Sequence, residues 1–214
     1  MIVRVAFIEY HSVVDGPGVR TAVFYQGCPH SCKGCYSRTL WDGAGGQEMT
    51  VGQVLAAIGT GLVQGDEGVT LTGGDPLAQQ VLDEVARVCV ALHGAGVHTV
   101  VYTGYVYEDI LQMAETIPAL KMVLHAADVL VDGPFILAQR NERLPFRGSD
   151  NQRVIDLAAT RRMGEVVLLD WTGVERVSIM PDGNAILNVH PDTLPLAQAL
   201  GEVIPTRNCG EGGA

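Results

Sequence analysis

The sequence predicts an α/β fold built on a parallel sheet, and three observations carry that prediction. Stretches patterned as strands and as helices alternate through most of the 214 residues. Each strand-like run stops at Gly, Pro, Thr or Asp, the residues of tight turns. Hydrophobic residues make up 47% and charged residues 18%, a balance that suits one globular domain with a sizeable core. In such folds ligands bind at the loops that follow the carboxyl ends of the strands.

In chain order, residues 19–25 read as the first buried strand, which runs directly into a cysteine-rich loop. Residues 50–62 read as a helix with Thr50 as N-cap and Val51, Val54, Leu55 and Ile58 on its apolar face. Residues 69–72 form a short strand ending at Gly73-Gly74, and residues 77–93 a longer helix stopped by Gly94 and Gly96. A strand over 97–102, a helix over 107–116, a strand over 129–131 closed by Gly133-Pro134, and a strand over 154–157 follow.

After Ala158 the pattern changes to strands over 166–169, 174–179 and 185–189. The last two are joined by Pro181-Asp182-Gly183-Asn184, so an antiparallel hairpin closing one edge of the sheet is expected. The glycine-rich tail, 206–214, reads as disordered. The organisation expected is a core over 1–160, a strand-rich extension of the same domain over 161–205, and the tail.

A net charge of −10 and a pI near 4.9 argue against binding nucleic acid through phosphates. The N-terminus lacks the cationic, apolar and small-residue regions of a signal peptide, and no apolar run approaches the roughly eighteen residues of a membrane span. A soluble cytoplasmic protein is expected, with no nucleic-acid or membrane partner.

The cysteine loop is Cys28-Pro29-His30-Ser31-Cys32-Lys33-Gly34-Cys35. Its C-x3-C-x2-C spacing supplies three thiolates, one fewer than a fully protein-ligated iron-sulfur cluster needs, which leaves one iron open to a substrate. A structural zinc site is the alternative: His30 lies inside the run, though the spacing fits no common zinc pattern. Disulfides are disfavoured by five cysteines, an odd number, and by the missing secretory signal. Cys89, in an apolar run, reads as a small buried hydrophobe, and Cys209 is left over.

Further along, Gly73-Gly74-Asp75-Pro76 has two glycines that permit close backbone approach to a ligand and a carboxylate able to accept hydrogen bonds from a cationic amino group. By itself such a motif is more often only a turn. The six histidines show no paired metal-ligand spacing, and no Ser-His-Asp order is recognisable.

Several segments share a pattern with known enzymes. They are Asp15-Gly16-Pro17-Gly18-Val19-Arg20, Gly27-Cys28-Pro29-His30, Gly34-Cys35-Tyr36 with Trp41, Thr72-Gly73-Gly74-Asp75-Pro76-Leu77, Tyr102-Thr103-Gly104-Tyr105, Val129-Leu130-Val131-Asp132-Gly133-Pro134-Phe135, and Phe146-Arg147-Gly148-Ser149-Asp150-Asn151-Gln152-Arg153. In these the sequence resembles the radical S-adenosylmethionine (SAM) enzymes and, more narrowly, the activating proteins of anaerobic ribonucleotide reductase, across about residues 8–157. The Asp at position 75, where the wider superfamily usually has Glu, favours the narrower group.

The resemblance implies an open, partial parallel β/α barrel and a 4Fe-4S cluster held by Cys28, Cys32 and Cys35, with SAM on the open iron. It implies SAM contacts at Gly34, Cys35, Tyr36, Gly73, Gly74, Asp75 and Thr103. It further implies a glycyl-radical activase: SAM is split to a 5'-deoxyadenosyl radical that takes a hydrogen from a glycine of the anaerobic reductase, with an external low-potential electron donor. Asp15 and Arg20 are candidates for SAM or partner contacts, and Tyr36 for adenine stacking or plain packing. Thr103 and Asp132 read equally as ligand contacts or caps, and 147–153 as a recognition loop or a solvated one. Activation of a pyruvate formate-lyase-like enzyme, radical chemistry on a small molecule, and a metal-binding adaptor without turnover remain open.

Overall fold

The structure, a computed structural model, describes residues 2–171 and the backbone of two short strands, Arg176–Ile179 and Ala185–Asn188. By contacts the chain divides into two compact units, Met1–Trp171 and Thr172–Ala214. The first unit holds seven strands: β1 (Ile2–Ser12), β2 (Arg20–Tyr25), β3 (Gln47–Thr50), β4 (Gly68–Gly73), β5 (His98–Tyr102), β6 (Val129–Asp132) and β7 (Arg153–Asp156). They form one sheet in the order β3-β1-β2-β4-β5-β6-β7.

The expected parallel sheet is found in its centre, where β2, β4, β5 and β6 are parallel neighbours. Its flanks are antiparallel: β1 pairs with β2 and β3, and β7 with β6. A parallel crossover needs a dozen or more residues and usually a helix. Such helices are α1 (Val51–Val63) ahead of β4, α2 (Leu82–Gly94) between β4 and β5, and α3 (Tyr107–Ala114) with α4 (Pro118–Ala126) between β5 and β6. By contrast, β1 and β2 are separated by only residues 13–19.

Local chemistry accounts for several boundaries. Thr50 caps α1 as expected, in a reciprocal box in which Gln53 N donates to Thr50 Oγ1 at 3.2 Å and Thr50 N to Gln53 Oε1 at 2.8 Å. The helix expected from residue 77 starts at Leu82, because the Asp75 carboxylate draws Leu77 N into a turn at 2.7 Å. The strand over 154–157 ends one residue early, where Asp156 caps α5 (Leu157–Met163) by accepting from Ala159 N at 2.7 Å. Residues 166–169 make no strand of their own. They run beside β7 through one bridge, Ile155 with Leu168, as Asp156 N donates to Val167 O and Leu169 N to Val154 O.

In the second unit, β8 (Arg176–Ile179) and β9 (Ala185–Asn188) pair antiparallel, as the turn signal implied. They form a two-stranded sheet of their own. The edges of the seven-stranded sheet are β3 and β7. The turn Pro181 to Asn184, the tail 206–214 and Cys209 lie outside the described residues.

One face of the parallel strands carries the core. Val23, Tyr25, Val69, Leu71, Val101 and Leu130 pack there against Val54 and Ile58 of α1, Val85 and Cys89 of α2, and Leu120 and Val123 of α4. Cys89 is fully buried, as its apolar run suggested. Among the described residues no helix is long and apolar enough to cross a membrane.

The carboxyl ends of the four parallel strands share one rim, so the cysteine loop, Gly73 to Asp75, Thr103 and Asp132 all fall on it. Arg20 does not. It starts β2, at the far end from the cysteines, and is 1% exposed, donating to Thr70 Oγ1, Pro17 O, Val69 O and His98 O at 2.6 to 3.1 Å. Burial pulls its pKa down to about 10. Its candidacy for a cofactor contact gives way to a clamp across three strand starts.

Candidate functional site

The loop leaving β2 is closed at its base by backbone bonds, Gly27 N to Leu40 O at 2.8 Å and Cys28 N to Trp41 O at 3.2 Å. Gln26 reinforces the closure by donating from Nε2 to Asp42 O at 2.6 Å. Within it Ser31 (φ 49°) and Gly34 (φ 84°) adopt left-handed conformations, and Cys35 N bonds to Cys32 O at 3.1 Å. Cys28, Cys32 and Cys35 are half-buried and carry free thiols. Burial pushes the Cys28 thiol up, while hydrogen bonds from the backbone N–H groups of His30 and Ser31 oppose that rise by favouring the thiolate.

A Cβ at Gly34 would lie 2.9 Å from Leu137 Cδ1 and 3.3 Å from Phe135 Cε1, and its φ of 84° disfavours any side chain. The cysteine loop therefore sits under the segment that follows β6. Cys35 and Tyr36 open on the other side into a cavity of about 620 Å³, whose polar lining includes Asp15, Tyr102, Arg147 and Gln152. A second cavity of about 640 Å³, along Phe7, Glu9 and His11 of β1, shares Val14, Asp15, Tyr36 and Ser37 with the first. Tyr36 is fully exposed between them, so it packs on nothing in the protein. Asp15 accepts from Ser12 Oγ at 2.5 Å, and burial pushes its carboxyl up.

The glycine pair at the end of β4 serves a different purpose from the one expected. A Cβ on Gly73 (φ 103°) would meet Tyr25 N at 2.6 Å, and one on Gly74 would meet Gly27 O at 2.2 Å. What approaches these glycines closely is the protein's own backbone entering the cysteine loop, fastened by Gly74 N to Tyr25 O at 2.8 Å and Asp75 N to Gly27 O at 2.9 Å.

Asp75 also departs from expectation. It is 1% exposed, and its Oδ1 accepts from Leu77 N at 2.7 Å and Thr103 Oγ1 at 3.0 Å. Its Oδ2 takes Gly104 N and His30 Nε2, each at 2.8 Å. A carboxylate offers about four lone-pair positions, and all are used within the protein. Among the described residues, Gly73, Gly74, Asp75 and Thr103 line neither cavity.

The other rim candidates are structural as well. Asp132, 1% exposed, accepts from Tyr107 N at 2.8 Å and from Arg153 Nε at 3.0 Å, with a second bond from Arg153 Nη2. Arg153 also forks onto Glu108 at 2.9 and 2.7 Å. The 147–152 segment is tied down by hydrogen bonds, with Asp150 exposed: Gln152 Oε1 collects Gly148 N and Ser149 N, and Asn151 and Gln152 donate to Pro134 O and Gly133 O. Only Arg147, Gly148 and Gln152 of it face the first cavity.

His30, weighed from the sequence only as a zinc ligand, proves central to this arrangement. Its sequence signals are its place inside the cysteine run and in the Gly27-Cys28-Pro29-His30 segment. Its Nε2 is engaged by Asp75, and among the described residues no group of three His, Cys, Asp or Glu side chains is arranged to hold a single ion. Three free thiols in one loop suit a cluster, in which each thiolate meets a different iron.

The comparisons agree with this chemistry. Residues 14–155 match the family model described as a 4Fe-4S single cluster domain. The anaerobic ribonucleoside-triphosphate reductase-activating protein of Enterobacteria phage T4 is 36% identical over 143 residues, covering 66% of this chain and 86% of that protein. The proteins of that name from Escherichia coli (strain K12) and Vibrio cholerae are 32% and 35% identical over 157 residues, with 69% and 68% of this chain and 97% and 96% of theirs covered. The overlap with the crystal structure of QueE from Escherichia coli is loose, with a TM-score of 0.37 at 19% identity over 49% of this chain and 53% of that one. By its matched domain and its relatives, the chain belongs to the 4Fe-4S family of anaerobic ribonucleoside-triphosphate reductase-activating proteins.

Proposed function

We propose that the chain activates an anaerobic ribonucleoside-triphosphate reductase, as its relatives' names say of them. In this reading Cys28, Cys32 and Cys35 hold a 4Fe-4S cluster. When bound, that cluster supplies the electron that splits SAM to methionine and a 5'-deoxyadenosyl radical, which takes a hydrogen from a glycine of the reductase. The observation that carries the reading is the placement of three free thiols in one loop at the carboxyl rim, with the third opening into a cavity of about 620 Å³.

The chain's own residues then have distinct tasks. Burial pushes the Cys28 thiol up, and the N–H groups of His30 and Ser31 partly offset that rise. Gly34, Cys35 and Tyr36 border the space for SAM, with Arg147 and Asp15 as charged groups on its lining. The Gly73, Gly74, Asp75 and Thr103 group holds the rim beneath it. The four parallel strands are read as part of an open barrel, with residues 1–160 as its core and 161–205 as an extension. An open site leaves the radical exposed until the protein substrate covers it, since excluding water and side reactions requires closure. An external low-potential donor and a cytoplasmic, reducing setting belong to the same reading, without nucleic acid or membrane.

The test is electron paramagnetic resonance on anaerobically reconstituted protein with SAM and dithionite. A stable glycyl signal is expected when the anaerobic reductase is added. No signal from that reductase, together with one from a pyruvate formate-lyase-like protein, would move the assignment to that second activase.

A further inference from the structure

We infer that His30 is a positioning residue which pins the middle of the cysteine loop to the rim, and that Asp75 acts through it and not by touching SAM. The inference rests on the reading that the three cysteines hold a cluster. Between Pro29 and Cys35 the loop makes no backbone hydrogen bond to the rest of the chain among the described residues. Its ties lie at its base, through Gly27 and Cys28, and at Gly34, which packs under Leu137.

His30 is the strut between them. Its Nε2 meets Asp75 Oδ2 at 2.8 Å, and its ring sets edge-on to Tyr105 with centroids 4.5 Å apart and planes at 75°. It lies so close over Gly104 that a Cβ there would fall 2.4 Å from His30 Cδ2. Asp75 is held in turn by Thr103 Oγ1 and Gly104 N at the end of β5 and by Leu77 N after β4. A continuous path of bonds thus joins two strand ends to the residue midway between Cys28 and Cys32. With its four acceptor positions occupied, Asp75 has none left for a ligand's amino group.

Removing the strut frees the segment that carries Cys32. Iron release to a chelator should then accelerate about tenfold to a hundredfold, the range expected for loss of one hydrogen bond to a buried charge. The experiment follows absorbance of anaerobically reconstituted protein mixed with excess ferrous-iron chelator, for wild type, His30→Ala, His30→Gln, Asp75→Ala and the double alanine variant. His30→Gln should recover part of the retention, because its amide N–H reaches toward Oδ2 while the ring contact with Tyr105 is lost. The double variant should release iron no faster than the faster single variant, since the two residues act as one unit. SAM affinity, read from the change in the cluster's spectrum, should weaken in His30→Ala as well as in Asp75→Ala.

Wild-type retention in His30→Ala, or no recovery in His30→Gln, would overturn the inference. So would SAM binding weakened by Asp75→Ala and untouched by His30→Ala, which would return Asp75 to direct contact. A wild-type protein that takes up no iron would instead remove the cluster reading itself, an outcome distinct from equal retention among iron-loaded variants.

Discussion

Replacing Gly74 with Ala tests whether the glycine pair serves the fold or a ligand. The added Cβ would stand 2.2 Å from Gly27 O, 2.7 Å from its carbonyl carbon and 2.9 Å from its nitrogen, all backbone atoms that no rotamer can move. Relief requires the end of β4 and the entrance of the cysteine loop to part by roughly an ångström, to reach ordinary van der Waals contact. That movement stretches two hydrogen bonds, Gly74 N to Tyr25 O at 2.8 Å and Asp75 N to Gly27 O at 2.9 Å, beyond useful range. Overpacking costs about 1 to 3 kcal/mol and each lost bond about 0.5 to 1.5 kcal/mol, so the variant should lose about 2 to 6 kcal/mol. In a domain of this size the melting temperature of the iron-free protein should fall by roughly 5 to 20 °C. Differential scanning calorimetry or circular dichroism on iron-free protein reads this directly. Unchanged stability of the iron-free variant, with only SAM binding lost, would refute the argument and restore the glycines to a ligand role.

Three further outcomes are expected. Tyr25 is fully buried with a hydroxyl that has no partner among the described residues, so Tyr25→Phe should raise stability by about 1 kcal/mol, and a melting temperature below wild type would contradict this. Arg153→Ala should cost about 2 to 3 kcal/mol in urea unfolding, because Asp132 keeps only Tyr107 N. This is less than for a fully buried pair, since Arg153 is itself 30% exposed, and Arg153→Lys should recover only part because it cannot fork onto both carboxylates. Partial burial and the neighbouring Arg20 guanidinium hold His98 below its usual pKa. Its contribution to stability is therefore present above the unfolded value of about 6.5 and lost as pH falls through the lower folded value. His98→Gln should shrink the drop in urea midpoint between pH 7.5 and pH 5.5, and an unchanged drop would exclude His98.

The sequence by itself determined what depends on near neighbours. Three thiols within eight residues, the Thr50 cap, and the antiparallel pairing of β8 with β9 each rest on groups near one another in the chain. The four central strands were legible because strands buried in a parallel sheet are rich in apolar residues. β3 was not legible: Gln47-Glu48-Met49-Thr50 is mostly exposed and is a strand only because β1 offers it an edge. β1 and α4, the latter opening with Pro118, are likewise not legible in the sequence. Only the tertiary structure decided what the rim residues do. The partners of Asp75 lie 28, 29 and 45 positions away, and spacing along the chain cannot say that β4 and β5 end side by side beneath His30. A Gly-Gly-Asp turn reads alike whether it faces a ligand or the backbone of Tyr25 to Gly27. Which of the two it meets is settled by the order of the strands, because a carboxylate sealed from water must find its hydrogen bonds in whatever the fold brings against it.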